Sequence, residues 1–115
     1  MRLPHADRVL VEREKITNYL LNPEHPDNGG KAAFFAALGF HRNNWTALAS
    51  AFESMALDSP VTKSLISAHG EKYIVDGPIE SPSGKTPTVG TVWIVERGQD
   101  IPRLITAYPQ EGPHD

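Results

Sequence analysis

The spacing of apolar residues changes period once, at Asp58-Ser59-Pro60, and that switch restricts the chain more than any other feature. Before it, apolar side chains recur at helical spacing. After it, short runs rich in Val, Ile, Thr and Tyr are separated by turn residues. Helices first and strands second predict an α+β domain, with about three N-terminal helices packed on a C-terminal antiparallel sheet of three to four strands in a meander. A chain of 115 residues has room for one core. The expected layout is a single domain over 1–115, with a helical half at about 12–58, a strand half at about 61–108 and a frayed tail at 109–115.

The run Arg8-Val9-Leu10-Val11 reads either as an edge strand or as the lead into a helix. Ile16, Tyr19 and Leu20 then fall at i, i+3, i+4, an amphipathic stripe over 13–21 that Asn22-Pro23 ends, because a residue before proline is pushed out of the α region. A second helix over 31–38 takes Asp27 or Asn28 as its cap and stops at Gly39, with Phe40 placed to touch Phe35 in a Schellman ending. A third, capped by Asn43 or Asn44, carries Trp45, Leu48, Phe52 and Met55 on one face. Segment 61–68 is open between a short helix and an irregular strand. Strands are expected at 72–79, 89–96 and 103–108.

Segment 97–100 makes a tight turn, so pairing Glu96 with Ile101 sets Trp93 against Leu104 and Thr91 against Thr106. Arg103 then falls on the other face with Val92, Ile94 and Ile105. Two threonines meeting beside a tryptophan form either an ordinary cross-strand pair or part of a site.

Composition removes whole classes of function. There are no cysteines, so disulfides, thiolate nucleophiles and zinc ribbons are out. No apolar run approaches the roughly 18 residues of a membrane span, and the N-terminal segment lacks a secretory apolar stretch, so a cytoplasmic protein with no membrane contact is expected. His5, His41, His69 and His114 show no metal-ligand spacing, and neither a metal nor another cofactor is expected. The formal net charge is −3 and no three basic residues are consecutive, which argues against coating a duplex but leaves a small pocket for one or two phosphates.

His25 sits in a loop braced by Pro23 and Pro26, just ahead of a helix N-terminus where free N–H groups favour an anion. Lys31 in the first turn has the wrong sign for the helix dipole unless its charge is used. Together they could hold a phosphate; the plainer alternative is a solvated loop histidine and a surface lysine. Gly29-Gly30-Lys31 is not a P-loop, since Ala32 stands where a Ser or Thr should bind magnesium. Asp76 and Glu80 could form a carboxylate pair, the plainer reading being solvated strand-end acids; Lys72 reads as a surface lysine, and nothing in the sequence assigns His69 a role.

Tyr19 to Pro26, Gly30-Lys31-Ala32, Phe35 to Gly39, Trp45 and Leu48, then Gly70 to Gly77, Pro82 to Lys85, Thr91 to Ile94 and Pro102 to Pro109 resemble a bacterial family of small domains of unknown function. That family looks in turn like the barnase/EndoU/colicin/RelE-type superfamily of endoribonucleases, many of them toxin domains. The resemblance implies metal-independent transesterification of RNA, and an immunity or antitoxin protein as a partner besides RNA. It implies His25 as acid or base, Lys31 stabilising the phosphorane, Thr91 and Thr106 binding phosphate oxygens, and Trp93 stacking a base or shaping the pocket. Superfamily sites often add a second histidine or an arginine, and no such partner for His25 is evident. The alternative is a binding or partner-docking module on the same fold, without catalysis. Nothing in the sequence sets an oligomeric state.

Overall fold

The computed structural model describes residues 1–110. The helical part comprises α1 (Arg13–Lys15), which runs directly into a π-helical turn (Ile16–Leu20), then α2 (Lys31–Ala37) and α3 (Trp45–Asp58). Four strands follow: β1 (Val61–Ser67), β2 (Gly70–Pro78), β3 (Thr88–Glu96) and β4 (Arg103–Pro109). They pair antiparallel in the order β1-β2-β3-β4, the meander expected of strands joined by short turns. The open segment 61–68 is therefore a strand. No helix of the described residues is long and apolar enough to cross a membrane. The tail expected to fray lies outside the described residues from 111 onward.

Alternation and helical periodicity meet in one core. Ile16 and Leu20 of the π turn, Phe35 of α2, and Leu48, Phe52 and Met55 of α3 pack on Tyr73, Val75, Val89, Trp93 and Leu104 of the sheet. Each large side chain removed from water in this way contributes roughly 1.5–3 kcal/mol. Trp45, at the end of the predicted α3 stripe, is only partly buried. Trp93 is wholly buried, and its indole N–H donates to Thr91 Oγ1 at 2.8 Å; that hydroxyl donates in turn to Val75 O at 2.8 Å. Thr91 is thus the polar anchor that lets a tryptophan occupy the core with its N–H satisfied.

The register matches the tight turn only close to it. Trp93 lies opposite Leu104 and Ile94 opposite Arg103, but a bulge leaves Ile105 without a partner, so Thr106 pairs with Val92 and Thr91 with Ala107. One extra residue on β4 dissolves the expected Thr91–Thr106 pair. The N-terminal run is not a strand: Ala6–Arg8 forms a 3-10 turn, and Leu10 makes a single parallel bridge to Arg103.

Helix α2 ends as its sequence predicts. Gly39 N–H donates to Ala36 O and Phe40 N–H to Phe35 O, and the Phe35 and Phe40 rings meet edge to face at 6.3 Å. Gly39 has φ +95°, and a Cβ there would stand 2.9 Å from Pro82 Cβ. Gly39→Ala should therefore cost more than about 1 kcal/mol of stability, because strain and crowding add. Urea denaturation checks this; an unchanged midpoint would contradict it.

Candidate active site

The π turn decides where Tyr19 points. Its widened ring, closed by Leu21 N–H on Ile16 O, halts at Asn22-Pro23 and leaves the carbonyls of Tyr19 and Leu20 facing the loop that follows. Asn28 collects them. Its Nδ2 donates to Tyr19 O at 2.7 Å and to Leu20 O at 3.3 Å, while its Oδ1 accepts the Ala32 N–H at 2.9 Å. The expected cap thus works from two residues before the formal N-cap position, Gly30, and welds the end of one helix to the start of the next. Asn28 is buried, so these bonds form in a setting where an unmet polar group is costly.

That weld sets Lys31 against Tyr19. Lys31 Nζ donates to Tyr19 Oη at 2.6 Å and to Thr106 Oγ1 at 3.0 Å, and the two hydroxyls are 2.9 Å apart. The lysine that had the wrong sign for its helix therefore serves two hydroxyl oxygens from elsewhere in the chain. The bulge at Ile105 contributes, since it moves Thr106 out of the row of Thr91. His25 completes the group: its ring meets that of Tyr19 edge to face with centroids 4.9 Å apart. His25 Nδ1 accepts the Asp27 N–H at 3.1 Å, which leaves Nε2 as the nitrogen that carries the proton in the neutral ring.

Burial alone pushes the Tyr19 hydroxyl up. Hydrogen bonds from Lys31 and Thr106, with the charges of Lys31 and Lys15, outweigh it and hold the group below the ordinary tyrosine value of 10.0. Tyr73 and Tyr108 go the other way. Burial raises both, helped by Glu71 beside the first and Asp76 beside the second. A tyrosine whose ionised form is favoured by a neighbouring lysine, with a histidine against its ring, is an arrangement able to move protons.

Tyr19 and His25 line a cleft of about 310 Å³ with Glu12, Glu14, Lys15, Asn18 and Arg103. Arg103 therefore belongs to the cleft, despite its place on the far face of the predicted register. Its guanidinium is shared between Glu96 at 3.1 Å and Glu12 at 3.5 Å. A larger cavity of about 600 Å³ between α3 and segment 78–86 carries Asp58 and Glu80 but no cation or imidazole, and another of about 460 Å³ is lined by His41 and Arg42 away from Tyr19 and His25. Among the described residues, no group of three or more metal-ligating side chains occurs.

Of the residues singled out in the sequence, His25, Lys31 and Thr106 converge, with Tyr19 at their centre. Thr91 and Trp93 do not join them. Both are fully buried and hydrogen-bonded to each other in the core, so neither can meet a phosphate or stack a base. Tyr19 itself was legible only as part of a core stripe. The usable signal was Lys15 four residues before it, whose ammonium lies 5.4 Å from the ring centroid.

A family model described as a domain of unknown function, DUF6883, matches residues 2–111, and the chain belongs to that family. No curated protein sequence matches it. Among solved structures, the chain is similar to one from a contact-dependent growth inhibition toxin–immunity protein complex of Klebsiella pneumoniae 342. The two share 23% identity with a TM-score of 0.72, over 93% of this chain and 97% of that one. The fold is common to both.

Two outcomes are expected. Asn28→Ala should lose about 1–3 kcal/mol in urea denaturation, since it strands the Ala32 N–H and takes a donor from the Tyr19 and Leu20 carbonyls; a loss below about 0.5 kcal/mol would show the weld to be dispensable. Ultraviolet titration of the phenols should show one of the three tyrosines ionising before the other two. Lys31→Met should move that early step upward; an unmoved step would mean that Lys31 does not hold Tyr19 down.

Proposed function

We propose that the cleft cleaves RNA without a metal, by transfer of the phosphodiester to the neighbouring 2′ oxygen, and that the protein is a toxin-type domain. The observation that carries this reading is the triangle of Lys31, Tyr19 and Thr106, with His25 against the tyrosine. Tyr19 takes the 2′-OH proton and O2′ attacks phosphorus. The bond to O5′ breaks, His25 supplies the proton with which that oxygen departs, and a 2′,3′-cyclic phosphate remains. Lys31 and the Thr106 hydroxyl bear the charge that gathers on the non-bridging oxygens. Only RNA carries the attacking hydroxyl, so DNA is inert.

Support also comes from the shared fold with a chain of a toxin–immunity complex. By the same likeness, a protein partner that blocks the cleft is part of the proposal, as is a place of action in the cytoplasm, where RNA is found. The formal charge of −3 fits an enzyme that grips one phosphate rather than a long stretch of backbone.

The test is cleavage of mixed cellular RNA in EDTA by purified protein and its variants. His25→Ala should lower the rate by about 10²-fold or more, with stability changed by less than about 0.5 kcal/mol. Lys31→Ala should cost about 10²–10³-fold, the scale of losing one oxyanion donor. Tyr19→Phe should remove the rise of rate with pH that ionisation of Tyr19 produces. Intact RNA at high concentrations of folded wild-type protein would leave a binding module without catalysis; wild-type rates in folded His25→Ala would remove that residue from the mechanism.

A further inference from the structure

The two edges of the sheet are treated differently by the rest of the chain. Along β4, Leu10 pairs with the edge through its own N–H on Pro102 O and its carbonyl on Leu104 N–H, and Tyr19 and Lys31 cover Thr106. Along β1, a single bond from Val61 N–H to Met1 O ties the start of the strand. Beyond it, Thr62, Lys63, Ser64, Leu65 and Ile66 are all exposed, although they alternate between the two faces. The helical layer thus stops short of β1, which is open on both faces as well as along its outer edge.

Such an edge is a template for pairing unless something blunts it. A bulge between Val61 and Lys63 blunts the first part only. From Lys63 to Ser67 the register is regular, and within it stand Leu65 and Ile66, the latter 82% exposed. Leu65 lies opposite Lys72 and Lys63 opposite Ile74, so one face of this strip alternates two lysines with two apolar side chains. Neither lysine forms an ion pair with a described residue.

We propose that β1 is a docking edge at which an extended segment of a partner protein adds as a fifth strand, with apolar side chains on the face of Ile66 and acidic ones on the opposite face toward Lys63 and Lys72. Charge selects this occupant over a second copy of the chain. Joining two β1 edges would gather four lysines on one face of the combined sheet with no acid on either β1 to offset them. Strand addition to an exposed edge is an established mode of protein recognition, in which the backbone gives affinity and alternate side chains give specificity. The inference rests on the sheet and its charges and not on the cleavage chemistry, so either can fail alone.

The probe is a nine-residue peptide alternating Val with Glu, followed by amide hydrogen exchange and backbone NMR of the full chain. Saturable protection confined to 63–67 is expected. A peptide with Lys in place of Glu should bind more weakly. Lys63→Gln and Lys72→Gln should each weaken the acidic peptide by up to about fivefold, the scale of an exposed ion pair. A central proline in the peptide should abolish protection. No protection at millimolar peptide, protection elsewhere, or equal binding of the Lys peptide would overturn the proposal. So would doubling of the mass with protection of β1 in the absence of peptide, which would assign the edge to a second copy.

Discussion

The meeting of Lys31, Tyr19 and His25 depends on the side chain of Asn28. A five-residue π turn ends the first helix, and in the loop that follows Asn22 donates its backbone N–H to Tyr19 O at 3.2 Å. Asn28 meets the Tyr19 and Leu20 carbonyls with one amide nitrogen and caps α2 with its oxygen. Since the same short loop carries His25, and the capped helix begins at Lys31, a single buried amide fixes the separation of the histidine, the lysine and Tyr19. Local helix geometry, loop path and site chemistry are one constraint here.

The electrostatics follow from that geometry. A lysine at a helix N-terminus is repelled by the dipole, and a phenol partly removed from water resists ionisation. Placed 2.6 Å apart, each relieves the other, and Thr106 adds a third oxygen to the arrangement. The cleft beside them is balanced rather than basic. Glu12 and Glu96 share Arg103, and Glu14 stands near Lys15 at the rim. A balanced rim around a concentrated charge pair suits recognition of one phosphate at short range.

How much of this could be read from residues alone is clear from particular positions. The order of elements, the end of α2 at Gly39 and the apolar face of α3 rest on local rules, and each stands in the structure. Lys31 was legible because its charge contradicts its place in a helix. What failed was the count along β4 beyond Leu104. The bulge at Ile105 has no glycine or proline to announce it, and one residue of slip separates Thr106 from Thr91. From residues alone Thr91 and Trp93 read as part of a site, because a threonine that satisfies a buried indole has the same sequence signature as one that binds a ligand. Tyr19 was hidden for the opposite reason. A tyrosine can present its ring to the protein and its hydroxyl to a site, and periodicity reports only the ring.

The most direct test of the cleavage chemistry is the fate of a single bond. An RNA oligonucleotide that the protein cuts at one place is compared with the same oligonucleotide carrying 2′-deoxyribose on the 5′ side of that bond, both in EDTA, with the products read by mass spectrometry. The expected result is a 2′,3′-cyclic phosphate from the first and no cut at that bond in the second. Cleavage of the deoxy-substituted bond, or a product ending in an open phosphate formed without a cyclic intermediate, would contradict the roles given to Tyr19, His25, Lys31 and Thr106.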